Sequence, residues 1–496
     1  MPIPTYHNLI GGEWLAAASG KTILNLNPAD HSDVVGASPD SDAEDVDLAV
    51  EAARKAFRTW RLVPAPKRAE ILLRAGNILM QKKERFAQEM TREMGKVLAE
   101  TRGDVQEAID EAFYVAGEGR RLFGVTTPSE LENKFAMSVR MPLGVVGLIT
   151  PWNFPMAIPS WKLFPALVAG NTCVIKPAED TPLSTYNLVQ TLIEAGLPPG
   201  VVNVVSGFGP SAGAALVEHP HVRAISFTGS SEVGSHVAQR AAATFKAVSL
   251  EMGGKNAQIV MDDANLDLAL EGALWGAFGT TGQRCTATSR ILLESGIAKE
   301  FTAEFVARAQ GLKVGNGLDE SVQVGPQVNG AQIETSQRYV EIALSEGAQL
   351  LAGGHALTEG PYAQGTFFEP TVFGGVQPSM RIAREVVFGP VVCLIEFDTF
   401  EQAIEIANSI DYGLSTAIYT KDVNRAFTAI RDLEAGITYI NAPTIGAEVH
   451  LPFGGVKRTG NGHREGLGAI DFFTTWKAVY VDYSDKLQRA QIDNAD

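Results

Sequence analysis

Cysteine is nearly absent: Cys173, Cys285 and Cys393 are the three in 496 residues, far apart and in no paired spacing. An odd number of scattered thiols supports neither a disulfide framework nor a cysteine zinc site, so neither is expected, no metal is expected, and a reducing cytoplasm is the setting that fits. Blocks of basic residues are lacking as well. With a net charge of -16, the surface repels a phosphate backbone, which excludes nucleic acid as an expected partner. Long apolar runs are missing too: the most apolar window, "MPLGVVGLITPWNFPMAIPSW" from Met141, carries four prolines after its first residue and Asn153 midway. Proline breaks a helix interior, so this window is not a membrane span; it reads as a buried strand followed by a loop. The start, "MPIPTYHNLIGGEWL", has no basic region followed by an apolar stretch, so no secretory signal is expected.

What is present is an ordinary globular composition, 45% hydrophobic and 20% charged, over a length that exceeds one compact core and predicts two or three domains. The first hundred residues read as helical: Ser41 with Glu44 forms a capping box, and Val46, Ala49, Val50, Ala53, Phe57 and Trp60 follow at helical spacing. Pro66 starts another helix. From Gly144 short apolar runs, "GVVGLIT", "TCVIKP", "VVNVVSG" and "VRAISFTG", alternate with helices near 159–169, 183–195, 211–218 and 231–243. That pattern is a doubly wound α/β domain, which binds nucleotides where its strands end. After "LEMGGK" a second α/β unit begins, with strands in "AQIVMD", "LSTAIYT" and "GITYIN". The expected division is 1–120 with 142–252 for the nucleotide domain, 253–465 for the second domain, and 121–141 with 466–496 for a small β arm. "WKAVYVDYS" in that arm alternates like an exposed strand wanting a partner, which makes the arm a candidate oligomer interface.

Several local features point to chemistry. Cys285 in "GTTGQRCTATSR" follows Arg284 and precedes Thr286, Ala287 and Thr288, a polar setting that suits a reactive thiolate better than an inert core thiol. Cys173 and Cys393 read as inert. "GFGPSAG" places glycines at 207, 209 and 213, one residue longer than the dinucleotide fingerprint, so a plain glycine turn competes with phosphate contact. In "FTGSSEVG" a strand runs into Gly229 and Ser230 at a helix start, where free amides suit a pyrophosphate. Lys176 and Glu179 follow a strand and could hold ribose hydroxyls, Glu179 favouring NAD over NADP because a 2′-phosphate would meet its charge. Glu251 and Asn153 add a carboxylate and a side-chain amide, which thioester chemistry requires beside a thiol. Each also has a plain structural reading: a paired carboxylate, a turn former, a solvated lysine.

"PWNFP", "KPAE", "FTGSSEVG", "LEMGGK", "GQRC", "FGPVV" and "PFGGVKRTGNGHRE" occur in this order, and the chain thereby resembles the aldehyde dehydrogenase superfamily over nearly its whole length. The resemblance implies a Rossmann-like NAD-binding domain, an α/β catalytic domain and an oligomerisation arm, hence a homo-oligomer, dimer or tetramer. It makes Cys285 the nucleophile that forms a thiohemiacetal, Asn153 with the Cys285 backbone N–H the oxyanion site, and Glu251 the base that hydrolyses the thioester. It makes Lys162 either a proton relay or one half of a structural ion pair. The retained Glu251 speaks against a coenzyme-A-acylating member. The cofactor, NAD with NADP as the alternative, is expected against Trp152, Lys176, Glu179, Gly213, Gly229, Ser230, Val233 and Phe388.

Two positions depart from the family pattern: Val386 replaces the glutamate that holds the nicotinamide ribose, with Glu385 before it, and Thr475 replaces a second relay glutamate. Arg284 implies a substrate carboxylate held at the site, with a structural salt bridge as the equal alternative. The stretch 441–466 and the ending resemble the branch that oxidises 2-oxoglutarate semialdehyde, and also the aminoadipate semialdehyde branch. A broad-specificity dehydrogenase, a thiol hydrolase and a non-catalytic nucleotide-binding protein are the other readings.

Overall fold

The computed structural model describes residues 3–461 and 467–493. His463, Arg464 and Glu465, which end the "PFGGVKRTGNGHRE" stretch, and residues 494–496 of the expected arm lie outside the described residues.

Two seven-stranded sheets dominate. In the first, Ala247–Met252, Val222–Gly229, Val145–Ile149, Thr172–Lys176 and Val202–Val204 run parallel in that order, and Asn8–Ile10 with Glu13–Leu15 close the edge antiparallel. Val145–Ile149 and Thr172–Lys176 are buried along their whole length, as strands covered by helices on both faces must be. Helices Ala157–Ala169, Pro182–Glu194 and Ser231–Ala242 make the crossovers. The expected helix at 211–218 opens as a wide π turn, Gly209–Gly213, before Ala214–Glu218.

The chain leaves this sheet at Met252 and enters the second at Asn256–Val260, beside Thr288–Glu294, Val391–Phe397 and Thr371–Gly374 on one side and Ser415–Tyr419 and Ile437–Ile440 on the other. A third, antiparallel sheet joins Thr474–Asp482 to Lys134–Pro142 and Val125–Pro128. Trp476 and Tyr480 stand exposed on it. Among the described residues no helix is long and apolar enough to cross a membrane.

The start of the chain corrects the helical expectation. Asn8–Ile10, Glu13–Leu15, Thr22–Asn27 and Asp30–Pro39 are strands; the first two, at three residues each, are too short for a two-residue alternation to stand out against the helical pattern that follows. The cap of Ala43–Trp60 is Asp42 paired with Asp45, not Ser41 with Glu44. Ser41 is buried and its hydroxyl accepts from Asn8 Nδ2 at 2.8 Å, so tertiary contact has taken it from the helix.

Two buried cations lie at the base of the second sheet. Arg290 donates from Nε to Lys255 O and from its two terminal nitrogens to Ile406 O and Ala407 O, each at 3.0 Å, satisfying carbonyls at the end of helix Phe400–Asn408. Lys255 is fully buried, and Nζ has no hydrogen-bond partner among the described residues. Burial pushes it from 10.5 down to about 8. Arg290→Met is expected to lower unfolding free energy by on the order of 3 kcal/mol in denaturant titration, because it takes the guanidinium donor from Lys255 O and Ala407 O, while Ile406 O keeps the Ser409 hydroxyl at 2.9 Å. For Lys255 the unfolded chain keeps its proton up to 10.5 while the folded one releases it near 8, so stability gains from this group as pH rises through that window. Lys255→Met is expected to remove that gain in melts run across the same range.

Candidate active site

The loop carrying the nucleophile candidate is held in an unusual backbone shape. Helix Leu266–Phe278 ends at Gly279, and Thr280, Thr281 and Gly282 follow at φ of 52°, 57° and 69°. Left-handed backbone is costly for a β-branched residue, about 1–3 kcal/mol each, and persists only where surroundings enforce it. The enforcement is visible. The Glu100 carboxylate accepts the Thr280 N–H at 2.8 Å and its hydroxyl at 3.2 Å, and Thr281 Oγ1 donates to Gly325 O at 2.9 Å. Gly282 passes so close to Gly389 that a side chain there would collide with the Gly389 carbonyl. Downstream, Asn256 Nδ2 donates to Cys285 O and Ala287 O at 2.8 and 2.9 Å, and Thr444 Oγ1 donates to Thr286 O at 2.7 Å.

Cys285, half-buried, is thereby set where two cavities meet. One is a cleft of about 420 Å³ whose wall includes Trp152, Asn153, Gly229, Ser230, Glu232, Val386 and Phe388. The other is a pocket of about 20 Å³ lined by Trp161, Lys162, Ser226, Thr228, Glu251, Phe453 and Phe473, room for a single water. Glu251 lies opposite Thr228 in the parallel pairing of Ala247–Met252 with Val222–Gly229. Lys162 Nζ donates to Ser226 Oγ at 2.8 Å. Cys285 therefore borders both the pocket that holds Glu251 and Lys162 and the cleft wall that holds Asn153. Asn153, 3% exposed, hands a side-chain N–H to Gln283 O at 3.0 Å and so ties its own loop to the cysteine's.

The expected cofactor residues fall into two groups. Trp152, Gly229, Ser230 and Phe388 line the large cleft; Phe388, at φ 58°, sets its ring edge-on to Trp152 at 5.4 Å between centroids. Ser230 caps helix Ser231–Ala242 by accepting the Val233 N–H, and Val233 itself is exposed. Lys176, Glu179 and Gly213 meet farther along the strand ends: Lys176 Nζ donates to Gly207 O at 2.8 Å and to Glu179 at 3.3 Å, and its side chain passes beside Gly213. Burial lowers the Lys176 ammonium's pKa, while Glu179 raises it.

Glu385 does not reach the cleft; it accepts from Arg381 and from the Tyr339 hydroxyl, both at 2.8 Å. Val386 leaves that stretch of wall apolar. Thr475 is exposed on the arm strand, paired with Met141. Cys173 and Cys393 are fully buried, and burial pushes both thiols up.

Arg284 lies on neither wall. Its guanidinium donates to Glu100 at 3.1 Å and to Thr280 Oγ1 at 2.9 Å, with side chains only 13% and 11% exposed, so the salt-bridge alternative is the one this conformation adopts. A guanidinium this buried takes the carboxylate that already neutralises it. Lys96, Glu100 and Asp104 escaped the sequence reading altogether. Lys96 and Asp104 form a fully buried pair at 2.6 Å, and from it Lys96 donates to Asn153 O at 3.0 Å while Asp104 accepts the Ala157 N–H at 2.7 Å. The one available signal was three polar side chains within nine residues at a helix start.

The aldehyde dehydrogenase family pattern matches residues 14–479. An alpha-ketoglutaric semialdehyde dehydrogenase of Bacillus subtilis (strain 168) is 44% identical over 96% of this chain and 98% of its own length. An alpha-ketoglutarate semialdehyde dehydrogenase of Haloferax volcanii is 43% identical over 96% and 99%. The crystal structure of betaine aldehyde dehydrogenase from Staphylococcus aureus in complex with NAD+ superposes with a TM-score of 0.95 at 33% identity, covering 97% of this chain and 96% of that one. With the motifs in order along the chain and a thiol, a carboxylate and an amide converging at the head of a nucleotide-sized cleft, the protein belongs to the aldehyde dehydrogenase family.

Proposed function

We propose that this chain oxidises a carboxylate-bearing semialdehyde, 2-oxoglutarate semialdehyde foremost, to the corresponding acid with NAD, using Cys285 as nucleophile. The observation that carries the mechanism is the position of Cys285 between a cleft of about 420 Å³ and a pocket holding Glu251 with space for one water. The substrate class rests on the two semialdehyde dehydrogenases to which the chain is 44% and 43% identical.

The residues present fit a dinucleotide. A Cβ at Gly229 would strike the Phe227 ring, so the strand end stays bare backbone beside the helix start, and the first-turn amides that the Ser230 cap does not take suit a pyrophosphate. Lys176 and Glu179 offer a donor and an acceptor for ribose hydroxyls, and the Glu179 charge disfavours a 2′-phosphate. Trp152 and Phe388 supply apolar surface for a nicotinamide ring.

The Cys285 thiolate attacks the aldehyde carbon; a C–S bond forms and the carbonyl electron pair moves to oxygen. The Asn153 amide and the Cys285 backbone N–H stabilise that oxygen where its charge develops. What NAD supplies when bound is the acceptor for the two electrons and hydrogen whose loss leaves a thioester on Cys285. Glu251 then takes a proton from the water in the small pocket as its oxygen attacks the thioester carbon, and Cys285 leaves as thiolate. With Thr475 where the family pattern has a glutamate, Lys162 and Ser226 remain to pass the proton on.

The arm, with Trp476, Tyr480 and Leu487 exposed, is assigned to a homo-oligomer, and the chain to the cytoplasm. The divisions after residues 120, 141, 252 and 465 are assigned to the nucleotide domain, the arm and the catalytic domain.

NADH formation is expected to be fastest with 2-oxoglutarate semialdehyde when it is run beside succinate semialdehyde, aminoadipate semialdehyde and uncharged aldehydes; preference for the uncharged set would make this a general aldehyde dehydrogenase. Cys285→Ala is expected to abolish turnover, and Asn153→Ala to lower kcat by about 10²–10³. Glu251→Gln is expected to keep a single-turnover burst of NADH in rapid mixing while losing steady-state turnover, because only thioester hydrolysis needs the base.

A further inference from the structure

We propose that Glu100 and Arg284 are positioning residues, a charged brace that holds the left-handed turn presenting Cys285 and couples it to the loop carrying Asn153. The proposal rests on the reading of Cys285 as nucleophile. The turn is the feature in need of support: Thr280 and Thr281 stand at φ of 52° and 57°, a conformation that β-branched side chains avoid. Glu100 lies in the first turn of helix Leu98–Glu118, and its two oxygens accept the Thr280 N–H at 2.8 and 2.9 Å. Arg284 completes a closed ring, reaching Thr280 Oγ1 at 2.9 Å and Glu100 at 3.1 Å. Every member is largely shielded from water, so the bonds are not exchanged for solvent contacts.

The link to the neighbouring loop is Phe154, the residue after Asn153. Its ring meets two cations, Lys96 Nζ at 3.8 Å and the Arg284 guanidinium at 5.2 Å from the centroid. A ring face attracts cations. Lys96 in turn is held by Asp104 and holds Asn153 O. One helix, through Glu100 and Asp104, thus sets both the thiol and the amide, and Arg284 acts on the reaction without touching substrate.

The test compares Glu100→Ala, Arg284→Ala and Arg284→Lys with the parent in the full chain. Steady-state kinetics with 2-oxoglutarate semialdehyde and with an uncharged aldehyde are read beside the rate of Cys285 alkylation by iodoacetamide as a function of pH. The brace predicts a fall in kcat of tenfold or more with both aldehydes, an unchanged ratio of their KM values, several-fold slower alkylation at every pH, and partial recovery in Arg284→Lys. The double Glu100→Ala/Arg284→Ala variant is expected to be no worse than either single one. If Arg284→Ala instead raises KM for the carboxylated aldehyde alone and leaves alkylation unchanged, Arg284 is a substrate clamp and the brace is wrong. Should Arg284→Ala not fold, Arg284→Lys decides: parental kcat and alkylation there overturn the proposal, because an ammonium cannot reproduce the fork to Glu100 and Thr280. Turnover surviving in Cys285→Ala would refute the nucleophile reading separately.

Discussion

A thiol attached to a flexible loop meets a carbonyl in many orientations, and only a few of them place the developing oxyanion on an amide. Here that freedom is removed by the turn at Thr280, Thr281 and Gly282, whose left-handed backbone is maintained against its own preference by Glu100, Gly325 and the close approach of Gly389. The rest of the site is arranged around this turn. Gln283 is buried within it, accepting the Val328 N–H at 3.0 Å through its side chain and the Asn153 amide at 3.0 Å through its backbone. Strain of this kind is tolerated at a site because rigid surroundings share its cost.

The charges follow the same economy. Lys96 and Asp104 are both fully buried, a placement that disfavours ions unless geometry and further hydrogen bonds compensate. Both conditions are met, since each partner spends a remaining hydrogen bond on the backbone around Asn153. Glu251 is placed differently. It shares its small pocket with Trp161, Phe453 and Phe473, and apolar walls around a carboxylate keep bulk water out while leaving room for a single water molecule. On the opposite side, the cleft wall at Val386 is apolar where the family pattern has a carboxylate, and Glu385 is occupied by Arg381 and Tyr339. Lys176, Glu179 and Gly213 meet away from that wall, farther along the strand ends.

Much of this was legible in the chain. The parallel strands from Val145 onward are continuous apolar runs, which is how doubly covered strands read, and Cys285 was conspicuous among polar neighbours. The opening strands were not legible, because Asn8–Ile10 and Glu13–Leu15 are three residues each and carry too little periodicity to compete with the long amphipathic helices behind them. The cap of the first helix was missed by one residue for a related reason: Ser41 satisfies the local rule, but Asn8 claims its hydroxyl from across the sheet.

The sequence by itself determined the side chains on offer: a thiol in a polar setting, a carboxylate at a strand end, an amide in a proline-bracketed loop, and glycines at the turns that follow strands. These are properties of side-chain type and near-neighbour order, and they need no coordinates. Tertiary structure alone decided the company each group keeps. Arg284 reads equally well as a clamp for a substrate or as half of a salt bridge until Glu100, 184 residues away, is brought against it. Contacts over such separations arise when helix Leu98–Glu118 packs beneath both loops, and no local spacing encodes where a helix will pack.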